Sequence, residues 1–134
     1  MGSVEAAYLL DTHTFLWACM EPAKLSRKAA ATIKSQQSVL YVSAISAYEI
    51  LNKYRIGKLY GAESVVFDIP GKIRTLGAIE MPVELRHTVF AGNLEWEHRD
   101  PFDRILAAQA SLENIPLITN DAALAKLPAI RTLW

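Results

Sequence analysis

Cysteine is nearly missing from this sequence. Cys19 stands alone among 134 residues, so no intrachain disulfide can form and a zinc site built from several thiolates is excluded. A reducing cytoplasm is the setting this implies. Long apolar runs are missing too: no stretch approaches the ~20 residues needed to cross a bilayer, and the N-terminus shows no basic segment followed by an apolar one. The expectation is a cytoplasmic protein, neither exported nor in contact with a membrane. Net charge is absent, because fourteen Lys and Arg balance fourteen Asp and Glu. No global field therefore draws the chain to a polyanion, and nucleic-acid binding would need a local basic patch or metal ions held by acids. A GxSxG elbow, a Walker loop and a GxGxxG turn are absent, which leaves serine hydrolase, NTPase and dinucleotide-binding readings without a motif. His13, His87 and His98 share no HExxH-like spacing, so a zinc hydrolase is not expected and each histidine is assigned a surface or loop role.

What is present is the composition of a packed domain, 51% hydrophobic and 21% charged, where a disordered chain would be poorer in apolar residues. The length suits one domain. We place it at 4–134 and set Met1-Gly2-Ser3 aside as a cloning remnant.

Ala6 to Leu10 is a short continuous apolar run, the pattern of a strand buried on both faces of a parallel sheet. Asp11 ends it, and Thr12 to Met20 reads as a helix. Ser26 caps an alanine-rich helix reaching Ser35. Val39 to Val42 is β-branched and aromatic, hence a second strand, and Ser43 to Ser46 lead into a helix ending near Gly57. Val65 to Leu76 reads as a helix interrupted at Pro70-Gly71. Gly77 to Met81 is a short strand, and Pro82 sits in the first turn of a helix over Val83 to Phe90. Asp100-Pro101-Phe102-Asp103 opens a helix through Leu112. A strand at Pro116 to Thr119, a short helix at Ala122 to Lys126 and an edge strand at Ile130 to Leu133 follow. Strands alternating with helices predict an α/β domain with a mostly parallel sheet.

In such a sheet, ligands bind where loops leave the carboxyl ends of the strands. Asp11 leaves the first strand there, and Asp121 leaves a later one. The chain from Asp103 to Asp121 descends a helix of about 10 residues, ~15 Å, and returns along a strand of about equal reach, so both acids lie at one level. Glu49 lies in the early turns of the helix after the second strand. Carboxylates gathered in this way repel one another and take up protons unless a cation is present. Magnesium, held by a few carboxylates and its own waters, fits that need, and phosphodiester cleavage is the chemistry it serves. Each acid also has a structural reading. Asp100, Pro101 and Asp103 form an ideal helix start, Ser46 with Glu49 matches a capping box, and Asp121 can cap the last helix. Asp11, directly after a buried strand, is poorly explained by packing.

Four segments then carry a resemblance: Tyr8-Leu9-Leu10-Asp11-Thr12-His13; Val42-Ser43-Ala44-Ile45-Ser46-Ala47-Tyr48-Glu49-Ile50; His98 to Ala110, with Asp100-Pro101-Phe102-Asp103-Arg104 at its heart; and Leu117-Ile118-Thr119-Asn120-Asp121. In this order they resemble the PIN-domain ribonucleases, most closely the VapC-type toxins of bacterial toxin-antitoxin pairs. The resemblance implies a three-layer α/β/α domain around a mostly parallel sheet of four to five strands. It implies metal-binding and catalytic acids at Asp11, Glu49, Asp103 and Asp121, with Thr119 beside them and Asp100 in support. The implied activity is that of a Mg2+- or Mn2+-dependent endoribonuclease cutting structured RNA, transfer or ribosomal, and so arresting translation. A homodimer and a cognate antitoxin whose C-terminal segment lies across the active site are implied as partners.

Lys53, Arg55 and Lys58 follow Glu49 on one helix and Arg104 adjoins Asp103, which makes them candidates for contacts with RNA phosphates. Trp17, Trp96, Tyr48 and Tyr54 are expected in packing rather than on bases. A haloacid dehalogenase-like phosphatase would need an aspartate where His13 stands. A nuclease acting on DNA and a non-catalytic PIN-like interaction module are the remaining alternatives.

Overall fold

The computed structural model describes residues 5–134. Met1-Gly2-Ser3 and Val4, the expected first residue of the domain, lie outside them. The first apolar run forms β1 (Ala6–Leu10), and α1 (Thr12–Met20) follows at once. After a 3-10 turn at Pro22–Lys24 come α2 (Arg27–Lys34), β2 (Ser38–Ser43) and α3 (Ala44–Arg55). The chain continues through α4 (Glu63–Val66), α5 (Ile69–Leu76), β3 (Ile79–Met81) and α6 (Leu85–Asn93). It closes with α7 (Pro101–Leu112), β4 (Leu117–Ile118), α8 (Ala122–Ala125) and β5 (Thr132–Leu133). Among the described residues no helix is long and apolar enough to cross a membrane.

Among the described residues five strands form one sheet in the order β3-β2-β1-β4-β5. Every pairing is parallel, with Leu10 facing Val42 on one side and Ile118 on the other. Successive residues of a strand point to opposite faces, and β1 uses both. Leu10 joins Phe15, Ile50, Val65, Ile73 and Ile118 in one core, while Leu9 joins Met81, Leu106, Ala107, Leu117 and Leu124 in the other. Leu9 and Leu10 are each 0% exposed, which is why the run shows no alternation. The result is the expected three-layer α/β/α arrangement with a fully parallel five-stranded sheet. From β1 the chain moves outward to β2 and β3, then crosses back to β4 on the far side of β1. The switch point between β1 and β4 is therefore the place where connecting loops diverge and leave a crevice.

Several boundaries differ from expectation for identifiable reasons. The weak helix over 65–76 is two helices, and the break falls before the proline. Asp68 caps α5 by accepting from the Gly71 N–H at 3.0 Å, which puts Pro70 in the first turn. A Cβ on Gly71 would meet the Asp68 carboxylate at 2.0 Å, so glycine allows this cap. The helix expected from Pro82 starts at Leu85 instead. His87 accepts from the Glu84 N–H through Nδ1 at 2.9 Å and closes the helix start there. His87 is thereby buried rather than on the surface or in a loop. Ser43, not Ser46, caps α3, its hydroxyl accepting from the Ile45 N–H at 3.1 Å, because pairing with Met81 extends β2 to Ser43. Gly57, at φ 76°, lies beyond the helix end, so Lys58 is not on α3.

Candidate active site

Asp11 leaves the carboxyl end of β1 and caps α1, its Oδ1 accepting from the Thr14 N–H at 2.7 Å. Its Oδ2 accepts from the hydroxyl of Thr119, which follows β4. The two strand ends are tied a second time, since the Thr14 hydroxyl donates to the Ile118 carbonyl at 2.8 Å. Thr119 also reaches Asp121, whose backbone N–H donates to the Thr119 hydroxyl at 3.1 Å. Asp121 in turn caps α8 through Oδ1, accepting from Ala123 N–H at 2.8 Å and Leu124 N–H at 3.1 Å. Asp11, Thr119 and Asp121 thus form one connected edge at the switch point.

Glu49 comes to this edge from α3 and is only 3% exposed. The Thr12 hydroxyl donates to its Oε1 at 2.6 Å and is hydrogen-bonded to Ser46 at 2.9 Å. Lys53, one turn further along α3, donates to Oε2 at 2.5 Å. Ser46 therefore supports Glu49 through Thr12 instead of capping the helix. The residue next to Asp11 holds Glu49, so the two acids share one hydrogen-bonded framework.

Asp103 occupies the first turn of α7, and Asp100 caps that helix through Oδ1, accepting from Phe102 N–H at 2.8 Å and Asp103 N–H at 3.2 Å. Burial pushes the Asp103 carboxyl up to about 6. The bond to His98 opposes that shift, and the nearby charges of Asp100, Asp121 and Glu49 add to it. Asp103 therefore feels three of the other acids, which places it inside the same field. His98 Nε2 lies 2.7 Å from Asp103 Oδ2.

Among the described residues one trio brings potential ligand atoms within 4.8 Å of one another, and it is His98, Asp100 and Asp103. Asp11, Glu49, Asp103 and Asp121 as a set stand further apart than that. A cleft lined by Gly92, Trp96, Glu97, His98, Arg99 and Arg104 opens beside the trio. His98, assigned from spacing to a surface or loop role, does lie in a loop and is hydrogen-bonded there to Asp103. Its place five residues before Asp103 was the available signal.

Arg104 departs most from expectation. Its guanidinium donates to the carbonyls of Ala91 (3.1 Å), Trp96 (2.9 Å), His98 (3.0 Å) and Leu94 (2.6 Å). Those bonds use four of the five N–H donors an arginine has, so Arg104 organises the loop before α7 and is removed from the candidate phosphate contacts. Lys53 is committed to Glu49, whereas Arg55 is exposed and hydrogen-bonded to Asn52 alone among the described residues. Trp17, Trp96 and Tyr54 pack half-buried as expected. Tyr48 does not: it is 61% exposed and meets Phe102 edge-on at 5.8 Å, the two rings being the sequence neighbours of Glu49 and Asp103.

Among curated proteins no sequence match reaches significance. Solved structures do match. A chain in the structure of VapBC2 from Rickettsia felis bound to a DNA fragment from their promoter superposes with a TM-score of 0.72 at 17% identity, covering 96% of this chain and 98% of that one. FitAcB from Neisseria gonorrhoeae gives 0.65 at 16% identity, covering 95% and 96%. VapBC-5 of Mycobacterium tuberculosis, a member of the VapBC family of toxin-antitoxin systems, gives 0.61 at 16%, covering 96% and 98%. At such identities the likeness concerns the fold. The model of the PIN domain matches residues 8–130, nearly the whole chain with all the acids described above, and the protein belongs to the PIN-domain family.

Proposed function

We propose that this protein is a divalent-metal-dependent endoribonuclease, with Asp11, Glu49, Asp103 and Asp121 as its metal-binding and catalytic acids. The observation that carries this reading is that Asp11 and Asp121 meet at one edge of the sheet through Thr119, with Glu49 tied to the same edge through Thr12, while the half-buried Asp103 carboxyl is pushed up to about 6 by burial and by the charges of Asp100, Asp121 and Glu49. Carboxylates sharing a field in this way are relieved by a hard cation, and the donors present are the oxygens that Mg2+ or Mn2+ prefers. When bound, such an ion supplies water activation and stabilisation of the leaving oxygen in phosphodiester hydrolysis.

The chain's own residues prepare for that chemistry. Thr119 and the Thr14 N–H fix Asp11, Thr12 and Lys53 fix Glu49, and the start of α8 fixes Asp121. Side chains locked by such bonds present their remaining lone pairs in one orientation, which is what a reactive site needs. Asp100 and Thr119 act in support. Arg55, Lys58, and Lys53 once released from Glu49, are cations available to the RNA backbone.

The structures that this fold resembles include toxin-antitoxin complexes. That context supports a toxin role for this chain, in the cytoplasm as a homodimer, with a cognate antitoxin as partner and structured RNA, transfer or ribosomal, as substrate. A basic side chain from the antitoxin would neutralise the acids or displace the metal.

The test is incubation of the purified chain with total cellular RNA and DNA, with Mg2+ or EDTA, beside Asp11→Asn and Asp103→Asn. Discrete RNA cleavage abolished by EDTA and by both substitutions is the expected result. Cleavage of DNA alone would replace ribonuclease by deoxyribonuclease, equal activity in the variants would sink the assignment of the acids, and no metal-dependent cleavage of either nucleic acid would leave a non-catalytic module.

A further inference from the structure

Asp11, Glu49 and Asp121 are each oriented by a backbone N–H or a hydroxyl. Asp103 is different: among the described residues its side chain is bonded to the imidazole of His98, 2.7 Å from Oδ2. We propose that His98 is a positioning residue that holds Asp103 by its Oδ2 and so reserves Oδ1 for the metal, a role that rests on the nuclease reading above.

The loop between α6 and α7 is built to place this ring. The carbonyls of Leu94, Trp96 and His98, every second residue, converge on the single guanidinium of Arg104. Arg104 is the neighbour of Asp103 on α7, so the cation that shapes the loop is rigidly linked to the acid the loop serves. Trp96 then fixes the plane of the ring, its centroid 4.8 Å from that of His98 and its plane tilted by 41°. The bond from Arg104 to the His98 carbonyl and the packing of the ring on Trp96 accompany the approach of Nε2 to Asp103.

A carboxylate oxygen accepts and an imidazole nitrogen in contact with it donates, so the His98 proton lies on Nε2. That proton bars Nε2 from ligating a metal, and hard divalent ions favour the free carboxylate oxygen over nitrogen. Partners of this kind set the direction of a ligand's lone pair, and losing one typically weakens metal binding about 10- to 100-fold.

The experiment is titration of Mn2+ into the purified full chain, followed by electron paramagnetic resonance without RNA, for wild type, His98→Phe and His98→Gln. Phenylalanine keeps a ring against Trp96 and lacks the N–H. Glutamine puts an amide N–H close to the position of Nε2. We expect weakening of about 10- to 100-fold for His98→Phe and recovery of most of that loss in His98→Gln, with thermal midpoints of the two variants alike. Wild-type affinity in His98→Phe, or equal weakening in both variants, overturns the assignment. A nitrogen coupling to bound Mn2+ in wild type, lost in His98→Phe, also overturns it, because His98 would then be a ligand. Absence of Mn2+ binding by the wild type would sink the metal-site reading itself, a result distinct from binding that ignores His98.

Discussion

The Thr119 hydroxyl donates to the Asp11 carboxylate across 108 residues of sequence, joining the ends of β1 and β4 at the switch point of the sheet. Both side chains are buried. Replacing the hydroxyl by a methyl in Thr119→Val keeps the shape and leaves Asp11 Oδ2 without its donor. A hydrogen bond to a buried charge is worth about 2 kcal/mol, so a loss of that size is expected in urea unfolding of the metal-free protein. Thr119→Ser should recover most of it. If Thr119→Val unfolds at the wild-type midpoint, the tie contributes nothing.

Asp103 gives the metal-free protein a particular response to pH. Its folded value of about 6 stands above the ordinary 3.8, so protonation favours the fold. The contribution is complete below about pH 4 and is lost as pH rises through about 6. With partial solvent access taken into account, it amounts to on the order of 2 kcal/mol. Metal-free protein should therefore gain stability from pH 7 to pH 5, and Asp103→Asn should remove that gain. Denaturant melts at the two pH values decide the matter, and a wild-type gain retained in the variant would contradict it.

Lys53 neutralises a buried Glu49. Removing one partner of such a pair strands the other charge, and because the lysine is partly exposed the cost should be about 1–2 kcal/mol. Lys53→Met should lower the metal-free melting temperature accordingly and increase the rise that Mn2+ produces, since the ion would meet no competing cation on Oε2. Thermal melts with and without Mn2+ measure both. An unchanged Mn2+ response would mean that Lys53 and the ion do not share Glu49.

Arg104→Ala removes a cation on which four loop carbonyls converge. We expect a loss of about 2–4 kcal/mol, because polar groups would be left without partners, and faster amide exchange over 94–99. Arg104→Lys should not restore the protein, as a lysine has three donors on one nitrogen and lacks the planar fork. Hydrogen exchange with wild-type protection in that loop would refute the role.

The layout was legible where local pattern and long-range packing agree. The run before Asp11 has no polar position, so a two-sided strand was the natural reading, and the acid that ends it marked the site edge. Ser26, Asp100 and Asp121 lead their helices in sequence as they do in space. The misplaced features depend on contacts with no periodic signature. Choosing Ser43 over Ser46 requires knowing how far β2 pairs with β3, and burying His87 requires its bond back to Glu84. Arg104 looked like any cation beside an acid, since nothing local reveals which distant carbonyls it meets. For His98 the ring's partner was near in sequence, yet an intervening helix start hid the approach.

Asp11, Asp100 and Asp121 each begin a helix with one carboxylate oxygen, and asparagine begins helices about as well as aspartate does. Shape and charge are consequently separable at these points. On the proposed nuclease reading, exchange of a single oxygen for an amide group at Asp11 or Asp121 would silence the chemistry while the helix start and the surface above it persist. A chain so altered would remain a faithful decoy: unable to cut, yet folded to meet whatever partner recognises the active one.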